Sequence, residues 1–370
     1  MQVAVLKETA AREERVALTP DSAARLVKTK VDVVVERGAG EAAGFPDATY
    51  AAAGCRIADS AAAASAGSSV VLKVQPPTDA EVARLPEGVL LVSLMKPGSH
   101  GALAQQLAAR KVASLALELV PRITRAQSMD VLSSQATVAG YKAVLIGASE
   151  LGKFLPMLTT AAGNIQPARV FVIGAGVAGL QAIATARRLG GVVSAFDIRP
   201  AAREQILSLG ATAVATLSPT AAAETAGGYA RAQSEDEHQQ TVNTIAEHIR
   251  SVDLIISTAN IPGRKAPVLI PHDALATMRP GSVIVDLAAE NGGNCAATKP
   301  GEITRVSGVT IVGLLNLPAT VPYHASQMFG RNVLALLQHL IAKETGELVV
   351  DPADEITGAM LVTHDGQVLR

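Results

Sequence analysis

The sequence predicts an α/β fold with two doubly wound, parallel-sheet domains separated by a cleft. Three observations predict it. Short, continuous apolar runs have strand length, alanine-rich helical stretches lie between them, and a glycine-rich turn opens a second series of such units. At 370 residues the chain is long enough for two ordinary domains, each burying its own core.

In the first series Val3–Leu6, Val31–Val35, Val70–Val74, Val89–Val92 and Ser114–Leu117 read as buried strands. Thr19 as N-cap and Pro20 at the first helical position start a helix over Asp21–Val27. Asp130–Leu151 reads as one long helix bridging the domains, and Gly163–Pro167 as a loop. The second series runs through Ala168–Ile173, Val192–Phe196, Leu254–Thr258, Ser282–Asp286 and Val309–Val312. Beyond it, Ser326–Lys343 carries Met328, Val333, Leu336, Leu337, Leu340 and Ile341 at amphipathic-helix spacing. Asp365-Gly366 between apolar residues signals a hairpin. The helix and hairpin are expected to return to the first domain. The domains are then 1–129 plus 326–370, and 130–325.

Composition excludes several function classes. Hydrophobic residues at 49% and charged residues at 18% suit compact packing and exclude wholesale disorder. Lys plus Arg is 32 and Asp plus Glu is 33, a net charge of −1 that offers no footprint for nucleic acid. Trp is absent and aromatics are 2%, which argues against a base-stacking platform. Cys55 and Cys295 lie far apart and outside any CxxC or Cys/His cluster, so neither a disulfide nor a metal site is expected. A reducing cytosolic compartment fits best. Met1–Leu6 followed by Lys7-Glu8 reads as a first strand, not a targeting signal. The weakly polar stretch Val170–Ala186 is interrupted by Gln181 and Thr185, short of the roughly 20 apolar residues of a membrane span. No direct membrane insertion is expected.

The turn itself is Val170-Phe171-Val172-Ile173-Gly174-Ala175-Gly176-Val177-Ala178-Gly179. This GxGxxG directly follows an apolar strand and directly precedes a helical run. Gly174 permits the tight turn, Gly176 lets backbone N–H groups approach a pyrophosphate, and Gly179 lets helix and strand pack closely. The next strand ends at Asp197, eighteen residues after Gly179. An acid there accepts hydrogen bonds from ribose hydroxyls and repels the 2′-phosphate of NADP(H), which favours NAD(H). Arg199, two residues on, blurs that choice. The alternative, a glycine-rich core turn, requires strand, helix, second strand and acid to coincide by chance.

The segment Pro121-Arg122-Ile123-Thr124-Arg125-Ala126-Gln127-Ser128-Met129-Asp130-Val131-Leu132-Ser133-Ser134-Gln135 closely resembles the Arg-Gln-Asp loop of proton-translocating NAD(P) transhydrogenases, in their NAD(H)-binding component. The likeness continues through Val177–Ala186, Ala226–Ala230, Ile261-Pro262-Gly263, Asp286-Leu287-Ala288 and Gly292-Gly293-Asn294. Lys7-Glu8 and Arg15–Pro20 are shared with alanine dehydrogenases and identify only the superfamily.

The resemblance implies two Rossmann-like domains and assigns roles. Arg122, Gln127, Asp130 and Ser133 would surround the nicotinamide and its ribose, with Ile123, Thr124, Ser128 and Met129 beside them on the loop. Gln127, Arg122 and Asp130 would be the catalytic group. Gly174, Gly176, Val177 and Gly179 would lie along the phosphates, and Asp197, Ile198 and Arg199 at the adenosine ribose. Gly228 and Ala259 would line the adenine side. Tyr229 would ride on a mobile loop, which composition suggests through Gly227-Gly228 and the polar run Arg231–Gln240. The other reading of that run is a solvated helix face.

The implied activity is hydride transfer between NADH and NADP+ held by a partner, coupled to proton movement across the membrane. Such transfer needs no acid or base, only rings held about 3–3.5 Å apart. A neutral amide such as Gln127 can steer a ring without trapping either redox state, and Arg122 with Asp130 can brace the loop as an ion pair. The resemblance further implies a Re/Si-specific enzyme, inactive alone. Its partners would be an NADP(H)-binding and a membrane-spanning component, with the chain a homodimer peripheral on the cytoplasmic face of the inner membrane.

Two rivals stand beside this reading. Alanine dehydrogenase shares the fold; Arg15 and Lys73 match its substrate-binding pair, but its catalytic His aligns with Met95 and its Asp with Glu290. A methionine cannot exchange a proton with substrate. His100, nearby, reads as an exposed loop residue. The other rival is an NAD(H)-binding module with no redox partner.

Overall fold

The computed structural model describes residues 1–96, 101–214, 233–260, 265–342 and 345–370. They divide into two compact units, 1–135 with 318–370, and 136–317.

The first unit is built on Gln2–Val5 (β1), Asp32–Glu36 (β2), Arg56–Ala58 (β3), Val70–Leu72 (β4), Leu90–Ser93 (β5) and Ala113–Ala116 (β6). These six strands are parallel, in the order β6-β5-β4-β1-β2-β3. Their apolar runs bury both faces. Val3, Val5, Val33, Val35 and Leu72 pack into one core, and Ala4, Val34, Val71 and Leu91 into another. That two-residue alternation is the pleat, and helices on both faces explain why no polar stripe marks these strands.

The end of the chain joins this unit. The helix Pro322–Leu340 buries Phe329, Val333, Leu336 and Leu337 against Val3 and Val5. Leu361–His364 adds to β6 antiparallel, and Gln367–Val368 folds back upon it. Asp365 and Gly366, at φ 49° and 75°, form the turn, as the Asp-Gly pair demands. Thr19 stands at the N-cap of the helix Pro20–Lys28, yet its side chain caps no backbone N–H and lies 3.5 Å from Ser22 Oγ. Pro20 sets that helix start.

The second unit continues with Leu158–Thr160 (β7), Gly163–Ile165 (β8), Arg169–Ile173 (β9), Val192–Phe196 (β10) and Thr212–Ala213 (β11). Leu254–Ser257 (β12), Val283–Asp286 (β13), Ile303–Val306 (β14) and Val309–Val312 (β15) complete it. The main sheet runs β11-β10-β9-β12-β13-β15-β14, antiparallel only at β14. The glycines that weaken the long helix Val131–Glu150 on paper are packing devices. A Cβ on Gly140 would strike the Ala178 carbonyl, and one on Gly147 the side chain of Leu254.

Three expectations change. Gly163–Pro167 is not simply a loop, because Gly163–Ile165 pairs with Leu158–Thr160 in a separate two-stranded hairpin. The edge strands β3, β11 and β14 escaped notice because they lack long apolar runs. The polar run becomes helix from Glu235, its start fixed by a Ser234/Glu237 capping box and its inner face by Val242, Ile245 and Ile249. Burial pushes the thiols of Cys55 and Cys295 up to about 11, away from thiolate chemistry. Among the described residues no helix is long and apolar enough to cross a membrane.

At β1 the strand order of the first unit reverses, and there the carboxyl ends of β1 and β4 gather buried charge. Lys73 Nζ lies 2.8 Å from Glu81 and 3.6 Å from Glu8, whose carboxylate also accepts from Val74 N at 2.6 Å. Burial raises the Glu8 carboxyl from 4.5 to about 7 despite Lys73. The folded chain therefore holds this proton more tightly than the unfolded chain. Its stabilising contribution is full below 4.5 and is lost as pH rises to about 7. Glu8→Gln is expected to flatten the decline of unfolding free energy across that window. Urea melts of both proteins at each end of it check this; parallel slopes would contradict it.

Candidate functional site

In the second unit the strand order reverses at β9, with β10 on one side and β12 on the other. Ligands of doubly wound sheets sit beyond the carboxyl ends of the strands at such a point. The residues there are Gly174, after β9, and Thr258, after β12.

Gly174 has φ +88°, and its N–H donates to Phe196 O at 2.8 Å. Thr258 Oγ1 donates to Gly174 O at 3.0 Å, and a Cβ on Gly174 would lie 2.7 Å from that hydroxyl. A Cβ on Gly179 would collide with the Gly174 carbonyl. These two glycines let the helix Val177–Arg188 start directly against the strand. Gly176 is its N-cap and differs in kind, because a Cβ there would meet nothing within 4 Å. The space lies in front of the first helical turn, whose N–H groups have no acceptor within the helix. Val177 is 42% exposed. Open room, oriented donors and the positive end of a helix suit a pyrophosphate.

Asp197 closes the turn from the side. Its Oδ2 accepts from Ala175 N at 2.7 Å, so the acid at the end of β10 fixes the glycine loop. Arg199 folds back on the same carboxylate at 2.9 Å. Ile198 and Ala259 are half-buried. Ala259 O accepts from Asn294 Nδ2 at 2.8 Å, and Asn294 Oδ1 accepts from Ser257 Oγ at 2.7 Å. Asp286, fully buried, accepts from Asn294 N, Cys295 N and Thr298 Oγ1 and holds that segment. Sequence reading missed the roles of Thr258 and Asn294. Each acts through contacts distant in sequence, and only the place of Thr258 at a strand end hinted at one. Gly228 and Tyr229 lie outside the described residues, as does His100.

In the first unit Thr124–Met129 is a short 3₁₀ helix anchored by buried Ala126 and Met129. Arg122, Thr124, Gln127 and Ser128 are exposed, and Ile123 is half-buried. Asn332 Nδ2 donates to Ser128 O at 2.8 Å, tying the loop to the helix Pro322–Leu340. Arg125 reaches Glu355 at 3.5 Å and Asp354 at 3.6 Å. Asp130 and Ser133, both expected at the site, engage each other: the carboxylate accepts from Ser133 N at 2.9 Å and Ser133 Oγ at 2.6 Å. This fixes the start of the helix Val131–Glu150 as a cap does.

The positions that would serve amino-acid oxidation have other partners. Met95 is buried, and its N–H donates to Glu118 at 2.9 Å. Arg15 forms a bidentate pair with Glu13 and donates to Gln135 Oε1 at 2.8 Å. Lys73 is held by Glu81. Glu290 is exposed and accepts from Asn316 N at 3.0 Å.

The model of the alanine dehydrogenase/PNT N-terminal domain matches residues 4–139, and that of the C-terminal domain matches 143–370. The chain belongs to this family. It is 45% identical, over all of its length and 98% of the relative's, to an NAD(P) transhydrogenase subunit alpha chain of Rhodospirillum rubrum. A crystal structure of transhydrogenase from Sinorhizobium meliloti superposes with a TM-score of 0.91 at 42% identity, each chain fully covered. Alanine dehydrogenase of Halomonas elongata is 33% identical over the whole chain and 94% of the relative.

The two glycines predict opposite phenotypes. Gly179→Ala overpacks the turn and is expected to cost about 1–3 kcal/mol or more, lowering the melting temperature by several degrees. Gly176→Ala is expected to leave melting unchanged while weakening NADH binding about tenfold, or about 1.4 kcal/mol. Calorimetric melting and NADH titration of both variants check this; equal melting temperatures would contradict the packing argument.

Proposed function

We propose that the chain is the NAD(H)-binding subunit of a proton-translocating, Re/Si-specific NAD(P) transhydrogenase. It passes hydride to and from NADP(H) held by a partner component and is inactive alone. The observation that carries this over amino-acid oxidation is Met95, a buried thioether where that chemistry needs a proton-exchanging side chain. The greater identity to a transhydrogenase subunit, 45% against 33%, supports the same reading.

When bound, the nicotinamide supplies a hydride donor or acceptor at C4. Gly174, Gly176, Val177 and Gly179 hold the pyrophosphate on the helix terminus. Asp197 takes the adenosine ribose, with Ile198 and Arg199 beside it, and Ala259 and Gly228 line the adenine. Tyr229 closes over the nucleotide. On the first unit's loop Gln127 steers the ring by amide hydrogen bonds, neutral in both redox states. Arg122 and Asp130 brace that loop, and Ile123, Thr124, Ser128, Met129 and Ser133 complete its lining. Positioning by fixed donors suits a reaction that needs no general acid or base.

The partners are an NADP(H)-binding and a membrane-spanning component, which place the chain on the cytoplasmic face of the inner membrane. It acts as a homodimer. Phe154, Met157 and Ile165, on and beside the hairpin, are 56%, 60% and 42% exposed, apolar area that a second copy would cover.

Mixing tests the proposal. The chain alone should show no net turnover and no L-alanine-dependent NAD reduction. With an NADP(H)-binding component it should exchange hydride. Gln127→Asn should slow that exchange at least about tenfold more than it weakens NADH binding. Alanine oxidation by the pure chain would overturn the reading. Tight NADH binding with no transfer in any mixture would favour a binding module.

A further inference from the structure

Resting on the assignment of NAD(H) to the second unit, we propose that Arg199 is a built-in competitor for Asp197. This competition sets how strongly the site discriminates NAD(H) from NADP(H).

The argument starts from hydrogen-bond capacity. A carboxylate offers about four acceptor sites. On Asp197 four are taken: Oδ2 by Ala175 N at 2.7 Å and Arg199 Nη2 at 2.9 Å, Oδ1 by Arg199 N at 2.8 Å and Arg199 Nε at 3.0 Å. Two of these donors are main chain and belong to the fold. They orient the carboxylate whether or not a ligand is present. The other two are the guanidinium fork, the geometry that matches a carboxylate best. A ribose diol needs the same two acceptor sites. It can dock only by displacing the guanidinium.

Burial makes the displacement costly. The Asp197 side chain is 7% exposed and that of Arg199 16%, so solvent screens the pair little. Part of what the ribose gains on Asp197 is therefore offset by the broken pair. NADP(H) meets the opposite balance. Its 2′-phosphate is repelled by Asp197, but the released guanidinium is a suitable phosphate partner. Arg199 is also the N-cap of the nine-residue helix Pro200–Ser208, so its main chain stays at a positive helix end while its side chain swings. Asp197 alone would give a steep preference for NAD(H). Arg199 blunts that preference from both sides, weakening the diol and rescuing the phosphate.

Substituting Arg199 separates the two effects. Arg199→Ala frees two acceptor sites on Asp197 and removes the phosphate partner. NADH should bind several-fold tighter and NADPH several-fold weaker, raising the ratio of their dissociation constants by about tenfold or more. Arg199→Lys keeps the charge without the fork and should move the ratio in the same direction by less. Both constants are measured by fluorescence titration of the full chain, with melting curves to confirm folding. An unchanged or smaller ratio in both folded variants, or NADH binding weakened by Arg199→Ala, overturns the inference alone. A parent chain that binds neither nucleotide overturns the NAD(H) assignment beneath it.

Discussion

The bond from Ala175 N–H to Asp197 is the constraint on which the second unit's chemistry rests. It ties the end of one parallel strand to the turn leaving its neighbour, so that the acid and the glycine loop become one rigid object. Gly179 against Gly174, and Thr258 beneath both, fix the helix start from the other side. The result is a helix terminus aimed at open space, with a carboxylate beside it at sugar distance from a phosphate. None of these contacts is large in energy. Their value is that each removes a freedom the others leave.

The first unit uses the same strand plan differently. At its reversal point, the carboxyl ends of β1 and β4 hold Glu8, Lys73 and Glu81 in mutual contact, with Arg15 closed on Glu13 nearby. Buried charges of both signs satisfy one another there. The unit's exposed chemistry lies instead on the 3₁₀ loop, where Asn332 and Arg125 fix the backbone and leave Gln127 outward. An amide held this way can orient a ring without a charge that would favour one oxidation state.

Most of the fold was legible because parallel strands buried on both faces are continuous apolar runs. Val3–Leu6 and Val192–Phe196 announce themselves in this way. Elements that bury little were not legible: β3, β11, β14 and the hairpin of Gly163–Ile165 depend on pairing, which local pattern does not encode. The site divides along the same line. Gly174, Gly176, Gly179 and Asp197 stand at spacings set by backbone geometry and can be read directly. Thr258 and Asn294 work across 84 and 35 residues of chain, and nothing near them in sequence marks the partner. Arg199 was visible as a charge beside Asp197, but its bidentate grip on that acid was not.

Amide spectra of the chain labelled at glycine and valine, recorded during titration with NADH, test the central claim most directly. If the turn cradles the pyrophosphate, the largest shifts fall on Gly174, Gly176 and Val177, and Gly281 and Gly308 stay in place. Saturable NADH binding with the amides of the turn unmoved would contradict the account.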